Sequence, residues 1–110
     1  MTVANDYVSQ NVFDAQGHTG NTYYYRIVGN RNSQIWNAVL SLMELGVSWL
    51  QSAISLAELA GTGEFPVTVP GELPAGVYDF IVYHQAGSEP AETDDVEKQW
   101  TEVKGDIFGF

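Results

Sequence analysis

The sequence contains no cysteine, few basic residues and no long apolar run. Without cysteine there are no disulfides and no thiolate zinc sites, so stability must come from packing or from association with other chains. Only four lysines and arginines stand against fourteen aspartates and glutamates, which gives a formal net charge of −10. Because this charge opposes contact with phosphates and with anionic lipid surfaces, we expect neither nucleic acid nor a membrane as a partner.

No stretch reaches the roughly 20 apolar residues of a membrane span, and the first residues lack the basic start and apolar core of a secretory signal. The sequence therefore predicts a soluble protein. Its 110 residues, 45% of them hydrophobic and 13% aromatic, suffice for one packed core but not for two. We expect an N-terminal arm over residues 1–20 and a single β-rich domain over residues 21–110.

Two segments have the composition of β-strands. Residues 22–28 are a run of β-branched and aromatic side chains bounded by glycines. Residues 77–84 alternate so that both faces are largely apolar, which is typical of a strand inside a sheet. Turn-forming residues recur at 29–33, 61–63, 71–76 and 86–90, a spacing that favours an all-β domain. An acidic connection is expected between the last of these turns and the segments 99–103 and 107–110.

The middle of the chain, residues 34–60, is ambiguous. Apolar residues recur there at helical spacing through a stretch rich in leucine and alanine, which favours a helix. Gly46 and Ser48 interrupt that stripe, and residues 52–58 also alternate as a strand does. Both interpretations remain open from the residues alone, and the helical one would make the fold α+β.

Several apolar residues are candidates for contact with a partner. Val8, Val12 and Phe13 lie in the otherwise polar arm, which is either a frayed terminus or a segment that orders against another chain. The apolar C-terminus must be buried in its own sheet or in a neighbour's, and aromatic residues are common at interface centres. The candidates are Val8, Val12, Phe13, Trp100, Ile107, Phe108 and Phe110.

No catalytic, cofactor-binding or metal-binding constellation is evident. His18 and His84 are far apart in the sequence, and residues 61–63 are not followed by the lysine of a phosphate-binding loop. Seven acidic residues in the last 22 positions lack the spacing of a calcium loop and are typical of a solvated acidic segment. We therefore expect a protein that is not an enzyme and that carries no cofactor.

One stretch resembles a pattern found in small virion structural proteins of tailed bacteriophages. Its residues are Pro74-Ala75-Gly76, Tyr78, the apolar strand that follows, Gln85-Ala86-Gly87, Pro90-Ala91 and Asp94. Ile35-Trp36-Asn37, Trp49, residues 53–56, Gly63, Phe65 and residues 105–109 also fit the pattern. The resemblance implies strands and turns rather than a helix in the middle segment. It thus implies a mainly β fold, a compact antiparallel β-sandwich with a flexible N-terminal arm.

The function implied by the resemblance is that of a capsid cement or decoration protein on the outer surface of the phage head, made in the host cytoplasm. Its partners would be the major capsid protein or other virion proteins, with a homo-oligomer on a symmetry axis. A neck, tail or baseplate component is an alternative within the same class. From a different class, a carbohydrate-binding or receptor-binding β-sandwich module that uses exposed tryptophans is also possible.

Overall fold

Antiparallel β-strands make up nearly all the regular structure of the described residues. The computed structural model describes residues 7–9, 12–14, 21–30, 33–59 and 62–104. Along them lie β1 (Tyr7–Val8), β2 (Phe13–Asp14), β3 (Tyr23–Gly29), β4 (Ile35–Asn37), β5 (Leu42–Glu44), α1 (Trp49–Ser52), β6 (Ile54–Ser55), β7 (Glu64–Phe65), β8 (Thr68–Val69), β9 (Gly76–His84) and β10 (Asp95–Lys104). The predicted mainly β fold is confirmed.

The principal sheet is built around β3 and β9. Its strands lie in the order β10, β9, β3, β4, β5, and β6 pairs with β3 beside β4. Every residue of β3 has a partner on β9, and every residue of β9 has a partner on β10. One bulge interrupts the second ladder, between Val96 and Lys98. The strand predicted at 77–84 therefore lies inside the sheet, as its two apolar faces indicate.

One face of the β3–β9 pair forms the core. Because side chains alternate between the two faces of a strand, every second residue of each strand points into the core. The register places Ile27 opposite Phe80 and Tyr25 opposite Val82, so that both strands contribute to the same face. These core side chains, each at most 5% exposed, are Tyr23, Tyr25, Ile27, Tyr78, Phe80 and Val82.

Two short ribbons, β1–β8 and β2–β7, supply the second layer. The rings of Phe13 and Phe65 lie 4.7 and 5.1 Å from that of Tyr23, in edge-to-face geometry. Val67 and Val69 are buried in the same cluster. The two layers give the β-sandwich-like fold that was predicted. Residues 7–8 and 13–14 of the predicted arm are thus strands of these ribbons.

The helical interpretation of residues 34–60 is wrong. The segment contains the β4–β5 hairpin, a single helical turn and the short strand β6. Ser41 and Gly46 adopt φ values of 57° and 68°, in the left-handed region that a right-handed helix does not contain. Pairing with the sheet prevails over the helical propensity of the leucines and alanines. The apolar residues that recur at helix-like spacing instead occupy both buried and exposed positions.

The predicted acidic connection is shorter than expected. β10 begins at Asp95 rather than at Gln99, because residues 95–98 extend the ladder with β9. β10 lies at the edge of the sheet, and most of its first half is exposed. Charged side chains are tolerated at an edge, where they also oppose pairing with other chains. Acidic composition alone therefore did not distinguish an edge strand from a loop.

Truncation of Phe80 tests the position of the core. Phe80 is 1% exposed and stacks on Tyr25 and Trp100, so Phe80→Ala should lower the free energy of unfolding by about 3–5 kcal/mol. The control is Val103→Ala at an exposed position of β10, with an expected change below about 1 kcal/mol. Urea unfolding measures both. Similar losses in the two variants would contradict this assignment of the core.

Candidate binding surface

The β4–β5 hairpin forms one edge of the sheet and has a fixed turn. The side chain of Asn37 is fully buried, and its Nδ2 donates a 2.6 Å hydrogen bond to Oε2 of Glu44. Its Oδ1 accepts hydrogen bonds of 3.0 Å from the backbone N–H groups of Val39 and Leu40. Both ends of one amide thus hold the turn to the strand that follows it. The tip is presented in a defined conformation.

This hairpin carries a run of exposed apolar side chains. Val39 is 67% exposed, Leu40 is 56% exposed and Leu45 is 68% exposed, with Leu42 between them at 42%. Single exposed apolar residues are common on protein surfaces, but clustered ones mark interaction sites. Among the described strands none pairs with the outer side of β5. The hairpin is therefore the candidate binding surface of this chain.

A cavity of about 280 Å³ opens beside the hairpin. Ala38 and Ser41 belong to the hairpin and also line the cavity, so the two features are continuous. The remaining lining residues are Tyr25, Trp36, Ile54, Thr68, Pro70 and Glu72. The Tyr25 hydroxyl donates a 2.5 Å hydrogen bond to the backbone oxygen of Thr68, which joins the sheet to the second layer at this point.

The opposite face of the sheet is partly covered by α1. Arg26 points to this face, is 7% exposed and lies with its guanidinium carbon 3.8 Å from the ring centroid of Trp49. Its Nε donates to Oγ of Ser52 at 2.9 Å, and its Nη1 donates to the Tyr83 hydroxyl at 3.3 Å. This stacking and hydrogen bonding attach α1 to the sheet.

A buried carboxylate holds the loop between β9 and β10. Asp94 accepts a 2.6 Å hydrogen bond from the Tyr24 hydroxyl, and it also accepts from the backbone N–H groups of Ala86 and Ala91. Trp49 donates to the Tyr24 hydroxyl in turn. The hydrogen bond from Tyr24 holds the pKa of Asp94 below its ordinary value, although burial opposes this shift. Burial, followed by the bond to Asp94, raises the pKa of Tyr24 to about 12.

The residues that carry the resemblance to phage virion proteins hold the turns on either side of β9. The Tyr78 hydroxyl donates to the backbone oxygen of Pro74, and Gly76 lies beside the Tyr78 ring. On the other side, Gln85 donates to the backbone oxygen of Gly87, in the loop that Asp94 closes. The described part of this motif therefore has a structural role in the fold.

The predicted contact residues lie in different environments. Val8 is exposed, Val12 is half-buried, and Phe13 is buried against Phe65. Trp100 is half-buried and stacks on Phe80 at a centroid distance of 5.5 Å. Ile107, Phe108 and Phe110 lie outside the described residues. The ring of Phe13 is thus a core group of this chain rather than an exposed surface.

The structure brings the described arm residues to the core side of β10. Oγ of Ser9 and Nε1 of Trp100 both donate to Oε1 of Glu102, at 2.6 and 2.9 Å. Nζ of Lys98 donates to the backbone oxygen of Val12 at 3.2 Å. The backbone of Val12 and the side chain of Ser9, which follows Val8, therefore attach this segment to β10.

Sequence reasoning missed the exposed hairpin. Its apolar residues occupy neighbouring positions, such as Val39 with Leu40 and Leu42 with Met43. In a two-layer fold, only one face of an edge hairpin is covered by the core, so neighbouring apolar residues cannot all be buried. This surplus of apolar residues was the available signal for a surface contact.

The described residues show neither a metal-ligand cluster nor a membrane-spanning helix. His84 ends β9 beside Tyr23, whereas His18 is outside the described residues. In the described ranges, no three or more histidine, aspartate or glutamate side chains group as metal ligands. Nor do those ranges contain a helix long and apolar enough to cross a membrane. No protein-family model matches the chain, and no curated protein or solved structure shows significant similarity to it.

Replacement of Asp94 tests the hydrogen bonds that hold the loop between β9 and β10. Asp94→Asn should lower the free energy of unfolding by about 1–3 kcal/mol at pH 7, because the carboxylate bonds to Tyr24 and the two backbone N–H groups are weakened. The folded-state pKa of Asp94 is depressed. Its contribution is therefore complete above the unfolded-state pKa of about 3.9, and it is lost as pH falls through the folded-state value.

The stability difference between the wild type and Asp94→Asn should thus shrink between pH 5 and pH 2, as measured by urea unfolding. Asp95→Asn at the adjacent exposed position is the matched control and should unfold as the wild type does at pH 7. A difference that stays constant across this acidic range would show that the carboxylate charge does not hold the loop.

Proposed function

We propose that the protein is a structural component of a tailed-phage particle, a capsid cement or decoration protein that binds the outer head surface and stabilises contacts between capsomers. The observation that carries this proposal is the exposed apolar β4–β5 hairpin, held in one conformation by Asn37. The resemblance of residues 74–94 to phage virion proteins supports the identity of the partner as a virion protein.

The hairpin is suited to stoichiometric binding. Full burial of one exposed valine or leucine side chain contributes about 1.5–3 kcal/mol. The turn is already fixed by the buried amide of Asn37, so little conformational entropy remains to be lost when it docks. A protein that binds only the assembled shell stabilises that shell by mass action. Closed homo-oligomers on capsid symmetry axes would repeat this contact over the head.

The charge of the chain supports an external position on the head. With a formal net charge of −10, the protein is repelled by packaged DNA and attracted to basic protein surfaces. Charge thus favours a contact with the outer side of the shell. The apolar hairpin then supplies most of the binding energy of the docked contact, because exposed ion pairs contribute little.

Cosedimentation with expanded, empty phage heads that lack the protein tests this proposal. The wild type should saturate at a large, symmetric number of copies per head. The double variant Val39→Ser/Leu40→Ser should bind at least about a hundredfold more weakly, because two apolar side chains no longer leave water. The matched control is Val96→Ser/Val103→Ser on β10, whose side chains are 55% and 70% exposed, close to the 67% and 56% of the hairpin pair.

The control variant should bind as the wild type does. Equal weakening of both variants would argue against the hairpin as the contact. No binding of the wild type at micromolar concentration would contradict the cement proposal, and binding to tails or to glycans would then be measured. Far-UV circular dichroism of each variant checks that the substitutions leave the β fold intact.

A further inference from the structure

We infer that the cavity beside the β4–β5 hairpin is a recognition pocket for one basic side chain, a lysine or an arginine, of the protein on which the hairpin docks. The identity of that protein rests on the proposed function. The chemistry of the pocket does not, because it follows from the groups that line the cavity.

The size of the cavity favours a single side chain. Pockets for drug-sized ligands and cofactors usually enclose about 300–1,000 Å³. The cavity beside the hairpin, at about 280 Å³, lies just below that range. A side chain that enters from a docked protein surface needs only a pocket of this size. It is also already held in place by the surrounding contact, which lowers the entropic cost of its binding.

The lining suits a side chain with an apolar stem and a charged head. Trp36, Ile54 and Pro70 offer apolar surface against which methylene groups pack. Glu72 is the acidic residue of the lining, and its side chain is exposed. Ser41 and Thr68 also line the cavity, and a hydroxyl is an acceptor suited to the several N–H donors of a guanidinium or an ammonium.

The Glu72 carboxylate is not engaged within the described part of the chain. The nearby Lys104 donates its Nζ hydrogen bond to the backbone oxygen of Gly71, at 3.3 Å, and not to Glu72. A basic group that enters the pocket would therefore find an acceptor with a full negative charge. An acidic ligand would meet both this carboxylate and the net charge of −10.

The pocket lies next to the apolar side chains with which the hairpin would dock. Ala38 and Ser41 line the cavity, while the neighbouring Val39, Leu40 and Leu42 are exposed. A partner that covers these apolar side chains thus also covers the mouth of the cavity. Interfaces commonly combine an apolar centre with a charged group whose partner fixes orientation. The pocket would set the register of the contact that the hairpin stabilises.

Titration with small mimics tests the pocket without any head or capsid protein. Butylguanidinium and butylammonium represent the arginine and lysine side chains, and 1-butanol is the neutral control with the same chain. Backbone amide shifts in the NMR spectrum should change saturably at the lining residues, with a millimolar Kd for the cations and weaker binding of butanol. Glu72→Gln should weaken binding of the cations at least about fivefold.

Glu92→Gln is the matched control, since Glu92 is exposed in the loop between β9 and β10 and does not line the cavity. It should leave binding unchanged. The absence of saturable shifts, or equal affinity of the wild type and Glu72→Gln, would overturn this inference and leave the cosedimentation result as it stands. Cation binding that depends on Glu72, together with no binding to heads, would retain the pocket and contradict the proposed function.

Discussion

The pairing of β3 with β9 is the constraint on which the rest of the structure depends. Every residue of β3 is paired, and alternate residues such as Ile27 and Phe80 form the floor of the core. Arg26 and Tyr24 lie on the opposite face of the sheet and are also buried. That face therefore needs a cover other than the two ribbons. The helical turn α1 and the loop held by Asp94 cover that face through contacts with Arg26 and Tyr24. Both contacts therefore depend on the same pair of strands.

The position of the hairpin at the edge of this sheet accounts for the candidate binding surface. The two-layer core buries Trp36 on one face of β4, but no described element covers the tip at Val39 and Leu40. The buried amide of Asn37 keeps the tip rigid although it is exposed. The cavity near Glu72 lies where this hairpin meets the second layer. Apolar surface and a basic-side-chain pocket would then act together in one docking contact.

The sequence was sufficient to predict the strands whose pattern is determined by burial on both faces. Residues 77–84 are such a case, and the regular turns indicated an all-β domain, whereas the sandwich was implied by the resemblance. Local propensity failed in residues 34–60, where strand pairing and the turn held by Asn37 prevail over the helical preference of leucine and alanine. Phe13 was named a partner contact because it is an apolar residue in a polar arm, and its burial against Phe65 depends on a pairing distant in sequence. The pocket was not predictable for the same reason, since its lining comes from six separate strands and turns.

Amide hydrogen exchange of the free and the head-bound protein tests the central claim most directly, because it reports on every strand at once. The account predicts the slowest exchange in β3 and β9 in both states. It also predicts that binding adds protection at residues 38–45 and around Glu72 and leaves β10 unchanged. Exchange in β3 as fast as in β1 and β2, or protection that appears on β10 and not on the hairpin, would contradict the account.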